Sequence, residues 1–90
     1  MKQGDAVLIR WFDIIVYYGT SEWEEYPDAA EWINGDNRPL CKTTGFFLEQ
    51  DEVYTYITDS LMVLDDEITH VGNVHSIPTG CIETLVPLEP

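Results

Sequence analysis

The stretch Ala6–Tyr18, AVLIRWFDIIVYY, limits what this 90-residue chain can become more than any other part of it. Only Arg10 and Asp13 are charged within it, and most of the rest are β-branched or aromatic, the side chains that suit a pleated, packed surface. Strand alternation puts Val7, Ile9, Trp11, Ile15 and Tyr17 on one face and Leu8, Phe12, Ile14, Val16 and Tyr18 on the other, so neither face is polar. Such a strand has to be covered on both sides, or to bend so that its halves bury different faces, as barrel strands do. The remainder of the chain is read as that cover.

After Gly19-Thr20-Ser21, a turn signal, comes EWEEYPDAAEWING, the centre of an insertion over about 19–38. Ser21 and Glu24 have capping-box spacing, and Pro27 is tolerated only near a helix start, so the segment predicts an irregular turn and then a short helix over Pro27–Ile33. Asn34-Gly35 then gives a left-handed stop. Glu22, Glu24, Glu25, Asp28 and Glu31 line this insertion, and Trp23 and Trp32 anchor it. It reads as a lid whose aromatic side closes one end of a barrel.

A second strand follows as LCKTTGFFLEQ, with Leu40, Thr44, Phe46 and Leu48 on one face and Gly45 marking a bulge or a close backbone approach. Beyond the polar connection Glu49–Glu52, Val53, Thr55 and Ile57 alternate with Tyr54, Tyr56 and Thr58; periodicity leaves open which face is the core. Leu61–Leu64 continues or pairs with that strand before the acidic turn Asp65-Asp66-Glu67. Ile68–Ile77 makes a fourth strand with a bend at Gly72, Pro78-Thr79-Gly80 a tight turn, and CIETLVPL a fifth strand. The fold expected is mainly β: one domain over 1–90, a small five-stranded SH3-like barrel with a short helix in the long loop after the first strand.

Charge narrows the function. Seventeen acids stand against Lys2, Arg10, Arg38 and Lys42, a formal net charge of -13. Nucleic-acid binding depends on Lys and Arg displacing counterions from phosphates, so this charge repels phosphate backbones and anionic membranes, and direct contact with DNA or RNA is not expected. A basic protein surface is attracted instead, although the same charge would also serve solubility alone. Cys41 and Cys81 are far apart with no CxxC, the start MKQGDAV has no leader pattern, and no apolar run reaches the roughly 20 residues a membrane helix needs, so a cytoplasmic chain with free thiols is expected.

Catalytic chemistry finds little footing. His70, His75, Cys41 and Cys81 are the only soft ligands, and a zinc site needs about four converging. Five residues of separation puts the two imidazoles on opposite faces of a straight strand. A Cys81–His75 nucleophile pair lacks an orienting group, and adjacent acids such as Asp65-Asp66 or Glu24-Glu25 read as solvated turns without calcium-loop spacing. The expectation is a chain that is not an enzyme and needs no cofactor or metal.

Val7, Ile9, Trp11 and Asp13, then Trp23, then Thr43, Gly45, Phe46 and Leu48, and finally Ile77, Pro78, Gly80 and Ile82 together resemble a family of short, acidic, uncharacterised phage and prophage proteins. The resemblance covers nearly the whole chain, departs from the pattern in IIVYYGT, and implies an SH3-like barrel of viral origin without supplying a catalytic motif. A phage protein of this composition is expected to bind a basic host protein through Glu22, Trp23, Glu24, Glu25, Tyr26, Asp28, Glu31, Asp65, Asp66 and Glu67, with aromatics as anchors. One version is an anti-defence inhibitor acting as a DNA mimic in the infected host's cytoplasm. Two alternatives stand beside it: a homo-oligomeric or virion-associated protein that dimerises through Ala6–Tyr18, and a protein sequestering a nucleotide signal. The last requires Arg10, Arg38 and Lys42 to converge.

Overall fold

The computed structural model describes residues 1–14, 23–35 and 38–88. Five strands, β1 (Ala6–Phe12), β2 (Leu40–Gln50), β3 (Tyr54–Leu64), β4 (Glu67–Pro78) and β5 (Ile82–Pro87), form one antiparallel sheet in the order β4-β3-β2-β1-β5. The loop after β1 carries helix α1 (Tyr26–Ile33), and one turn of 3-10 helix, Thr79–Cys81, leads into β5. The sheet is open, with β4 and β5 as its edges. No helix among the described residues is long and apolar enough to cross a membrane.

β1 is shorter than its composition suggests. It ends at Phe12, Asp13 accepts a hydrogen bond from the Ile14 amide at 2.8 Å, and Ile14 points into solvent. Ile15–Tyr18, expected to continue the strand, lie outside the described residues. Within β1 the alternation holds: Val7 and Ile9 are fully buried, while Leu8, Arg10 and Phe12 occupy the opposite face.

β2 serves two neighbours in turn. Leu40–Phe46 pair with Phe12–Ala6 of β1, whereas Phe46–Gln50 pair with Thr58–Thr55 of β3. The handover falls at Gly45, where an added Cβ would stand 2.9 Å from the Thr58 carbonyl oxygen and 3.0 Å from Ile57 Cδ1. Phe47 is the buried residue of β2, on the face opposite Leu40, Thr44, Phe46 and Leu48, and the register shifts between Phe47 and Glu49. Phe47 shares the inward face with Val7 and Ile9, because it lies two residues beyond Gly45, the partner of Val7, and itself pairs with Ile57.

The core consists of Val7, Ile9, Phe47, Ile57 and Ile77, with Trp11, Ile82 and Leu85 packed against it. Trp11 is oriented by its indole N–H, which donates to Thr43 Oγ1 at 2.9 Å. On β3 the tyrosines lie outside: Thr55 and Ile57 are buried, and the Tyr54 and Tyr56 rings are tilted neighbours with centroids 6.0 Å apart. The buried Thr55 hydroxyl is satisfied by a chain of bonds. Gln50 Nε2 donates to Thr55 Oγ1 (2.9 Å), Thr55 and Thr79 hydroxyls meet at 3.1 Å, and Thr79 Oγ1 donates to the Asp51 carbonyl (2.9 Å). That chain fastens the 3-10 turn to the β2–β3 connection, as does the bond from the Thr79 amide to the Val53 carbonyl at 2.9 Å.

β3 runs unbroken to Leu64 and forms a long ribbon with β4, closed by Asp65-Asp66. Both aspartates have positive φ, 54° and 63°, the combination a two-residue type I′ hairpin turn requires and Asn-Gly fills most readily. At the base of the ribbon Gly4, with φ 95°, lies against Leu61 and Ile68, and its amide donates to the Phe47 carbonyl at 2.7 Å. α1 departs from expectation at its end. Asn34 keeps right-handed angles (φ -82°, ψ -5°), and the helix closes because Asn34 Nδ2 donates to the Ala30 carbonyl at 2.8 Å.

Two measurements check this architecture. The double substitution Asp65→Asn, Asp66→Gly places residues suited to positive φ and removes two like charges, so the free energy of unfolding from denaturant titration should rise by about 1 kcal/mol; an unchanged or lower value contradicts the turn. Gly45→Ala should destabilise by about 1–3 kcal/mol although alanine is ordinarily preferred to glycine inside a strand, because its methyl meets backbone.

Candidate partner-binding surface

The acidic residues are sorted by position along the fold. Glu24, Glu25, Asp28 and Glu31 are on or beside α1, Glu49, Asp51 and Glu52 on the β2–β3 connection, and Asp65, Asp66 and Glu67 at the ribbon tip. The last two groups terminate opposite ends of β3, an 11-residue strand, and so stand about 35 Å apart. From Ile68 to Pro78 the edge strand β4 holds no acid and both histidines. Turns can splay carboxylates into water; a ladder would hold them side by side.

α1 is a thinly covered element. None of its residues is buried, Glu25 caps it without a side-chain bond, and Tyr26 and Ile33 are 75% and 61% exposed. Trp23, just before it, is 86% exposed. The expectation that the aromatic side of this insertion closes a barrel end is therefore corrected: Trp11, Ile82 and Leu85 border the core instead, and α1 touches the sheet at most marginally. Eight residues are too few for a helix that water alone would sustain. Of the ten residues predicted to bind a partner, Trp23, Glu24, Glu25, Tyr26, Asp28 and Glu31 gather here, and Asp65, Asp66 and Glu67 form a separate group at the ribbon tip. Glu22 and Ser21 lie outside the described residues.

Two features lie outside the ten residues predicted to bind a partner. At the ribbon tip Met62, Val63 and Leu64 are all more than half exposed, joined on β4 by Val71 and Val74. The run Leu61–Leu64 reads in sequence only as continuing or pairing with the preceding strand, and it does continue β3. The second is a basic face. Arg10 of β1 pairs directly with Lys42 of β2 and with Thr84 of β5, and Arg38 places its guanidinium 4.6 Å from the centre of the Phe12 ring, itself the partner of Leu40. Three of the four cationic side chains thus share the outer face of β1–β2 with Leu8, Phe12 and Leu40. Among the described residues the one ion pair is His75–Asp59, at 2.8 Å, and it involves none of them. Arg10 Nε is buried and without a hydrogen-bond partner.

His75 Nε2 and Asn73 Nδ2 both meet the Asp59 carboxylate, at 2.8 and 3.2 Å, while His70 Nδ1 contacts Thr69 Oγ1 at 3.1 Å. Cys41 and Cys81 are free thiols on opposite sides of Trp11, which pairs with Cys41 on one side and with Ile82, next to Cys81, on the other. Two strand spacings, about 10 Å, exceed the reach of a disulfide. No group of three or more His, Cys, Asp or Glu side chains among the described residues is placed to hold a metal ion. No family model, curated protein or solved structure matches the chain.

One carboxylate carries a resolved electrostatic signature. Asp51 Oδ1 accepts the Tyr54 amide at 2.7 Å and the Val53 amide at 2.8 Å, and these two bonds hold its pKa below the ordinary aspartate value of 3.8. A lowered folded-state pKa contributes stability that is complete above the unfolded value and disappears as pH falls through the folded one. In a carboxyl NMR titration Asp51 should titrate below 3.8, and Asp51→Asn should flatten the dependence of stability on pH in that acid window. A normal midpoint together with an unchanged slope contradicts the turn geometry.

Proposed function

We propose that the chain is a non-catalytic, phage-encoded module that binds a basic host protein through α1 and the segment leading into it. The observation that carries the reading is α1 itself, a helix with no buried residue that carries Asp28 and Glu31, follows Glu24 and Glu25, and leaves Tyr26 and Ile33 in water. Carboxylates would steer the encounter, and the aromatic side chains would supply the desolvated anchors that dominate interface energy. The remaining chain is the frame that presents this segment. We read that frame as an SH3-like barrel: the strand order, the 3-10 turn before the last strand, and the contact of Gly4 with the β3–β4 ribbon support a sheet curled on itself.

In an infected bacterium such binding would serve to block a defence protein. A DNA mimic would present its carboxylates as a row spaced like phosphates. Here the acids gather at separate turns, so the reading uses the α1 group with its aromatics and leaves the ribbon-tip group, Asp65–Glu67, as a steering charge.

Affinity capture from host lysate tests this with two variants, Tyr26→Ala and the neutralised Glu24→Gln, Glu25→Gln, Asp28→Asn, Glu31→Gln. A basic protein should be retained by the unaltered chain at low salt, be released near 1 M salt where the screening length is about 3 Å, and be lost by both variants. Capture of the same proteins by all three forms contradicts the reading.

A further inference from the structure

The basic face on β1–β2 is arranged against its own electrostatics. Arg10 and Lys42 occupy directly opposed ladder positions, where Cβ atoms stand about 5 Å apart and like charges are destabilising. Arg10 Nε is buried with no acceptor, which costs free energy until one arrives. Arg38 adds a third positive charge beside them, spread over Phe12. In a chain with 17 acids, none of these cations has a carboxylate partner among the described residues. The face calls for carboxylates borne by something apolar, because Leu8, Phe12, Leu40 and Val86 surround the charges.

The same chain displays that chemistry. α1 and its approach carry Glu24, Glu25, Asp28 and Glu31 between exposed Trp23, Tyr26 and Ile33. We propose that two copies of the chain associate reciprocally, α1 of each laying its carboxylates on Arg10, Arg38 and Lys42 of the other. A two-fold axis makes both contacts at once, each copy giving a helix and receiving one. Surface area agrees. The chain exposes 7007 Å², whereas a monomer of 10.3 kDa ordinarily exposes about 5,400 Å², and the excess exceeds the roughly 800 Å² per partner of a standard interface. Shape agrees too, with a radius of gyration of 17.7 Å against about 12 Å for a compact domain of this length. Two chains of charge -13 repel at long range, but at 0.15 M salt the screening length is about 8 Å, so contacting pairs survive where the overall repulsion fades. This inference does not depend on the host partner; when that partner is present, it competes for the same helix.

The test is sedimentation equilibrium of the full chain at 0.15 M salt, with Lys42→Glu and Asp28→Lys as separate variants. Lys42→Glu replaces an opposed like-charge pair by an attractive one, so the fold should hold, which circular dichroism checks. The expected result is a dimer for the unaltered chain, a dissociation constant raised at least about tenfold in each variant alone, and heterodimer restored on mixing the two, because the exchanged charges again face each other. A monomer at millimolar concentration overturns the proposal. So does a dimer indifferent to both substitutions, more so if Met62→Asp on the ribbon tip dissolves it. Isothermal titration with inorganic phosphate forms the last arm: saturation at Arg10 and Lys42 without any dimer would assign the face to a small anion and likewise overturn it.

Discussion

β2 and β3 come together at a point with no room for a side chain. At Gly45 the backbone of β2 passes so near the Thr58 carbonyl and Ile57 that hydrogen is all that fits. On one side of this crossing β2 belongs to β1 and β5; on the other it belongs to β3 and β4. Ile57 can therefore reach Val7, Ile9 and Phe47 from the neighbouring half of the sheet, and Ile77 completes the group from the edge strand. Close approach, shared core and the change of partner along β2 are one event.

So small a core leaves the rest of the chain to be governed by charge. Among the described residues five apolar side chains are buried, too few to absorb the self-repulsion of thirteen net negative charges unless those charges are kept apart, and most of the described acids stand in turns, loops and α1, with Glu49, Asp59, Glu67 and Glu83 within strands. The consequence is segregation. One region is acidic and aromatic, one basic and apolar, and one, the ribbon tip, aliphatic with an acidic turn. Each is unfinished alone, and their complementarity supports the view that the chain works by docking.

Local chemistry made much of this visible. The strand run Leu40–Gln50 follows from β-branched and aromatic residues between Pro39 and the acidic connection, Gly45 marks the close approach of β2 to β3, and Pro78 marks the end of β4, which runs through Gly72 without a change of register. What composition hid was parity and continuation. The adjacent Phe46 and Phe47 look alike to any periodicity argument, and the pairings of Gly45 with Val7 and of Phe47 with Ile57 decide which enters the core. The tyrosines of β3 gave no sign of facing outward, because Thr55 buries its hydroxyl only through a bond network with Gln50 and Thr79 that is distant in sequence. Asn34-Gly35 resembles a left-handed stop, yet the asparagine amide can reach Ala30 from right-handed angles and does. At the site, the acidic group around α1 was legible because it is contiguous; the basic face was not, because Arg10, Arg38 and Lys42 meet only once β1 and β2 are in register.

The proposed binding role stands on α1 burying none of its residues in the free chain. Amide hydrogen exchange reads that directly, since helix stability in so short a segment has to come from tertiary packing. Backbone amides of Ala29–Ile33 should exchange at nearly unstructured rates while those of Ile9 and Ile57 exchange only through global unfolding. Protection of α1 equal to that of β1 and β3 in a dilute, monomeric sample would mean the helix is packed within its own chain, and the case for an outward-facing binding element would be lost.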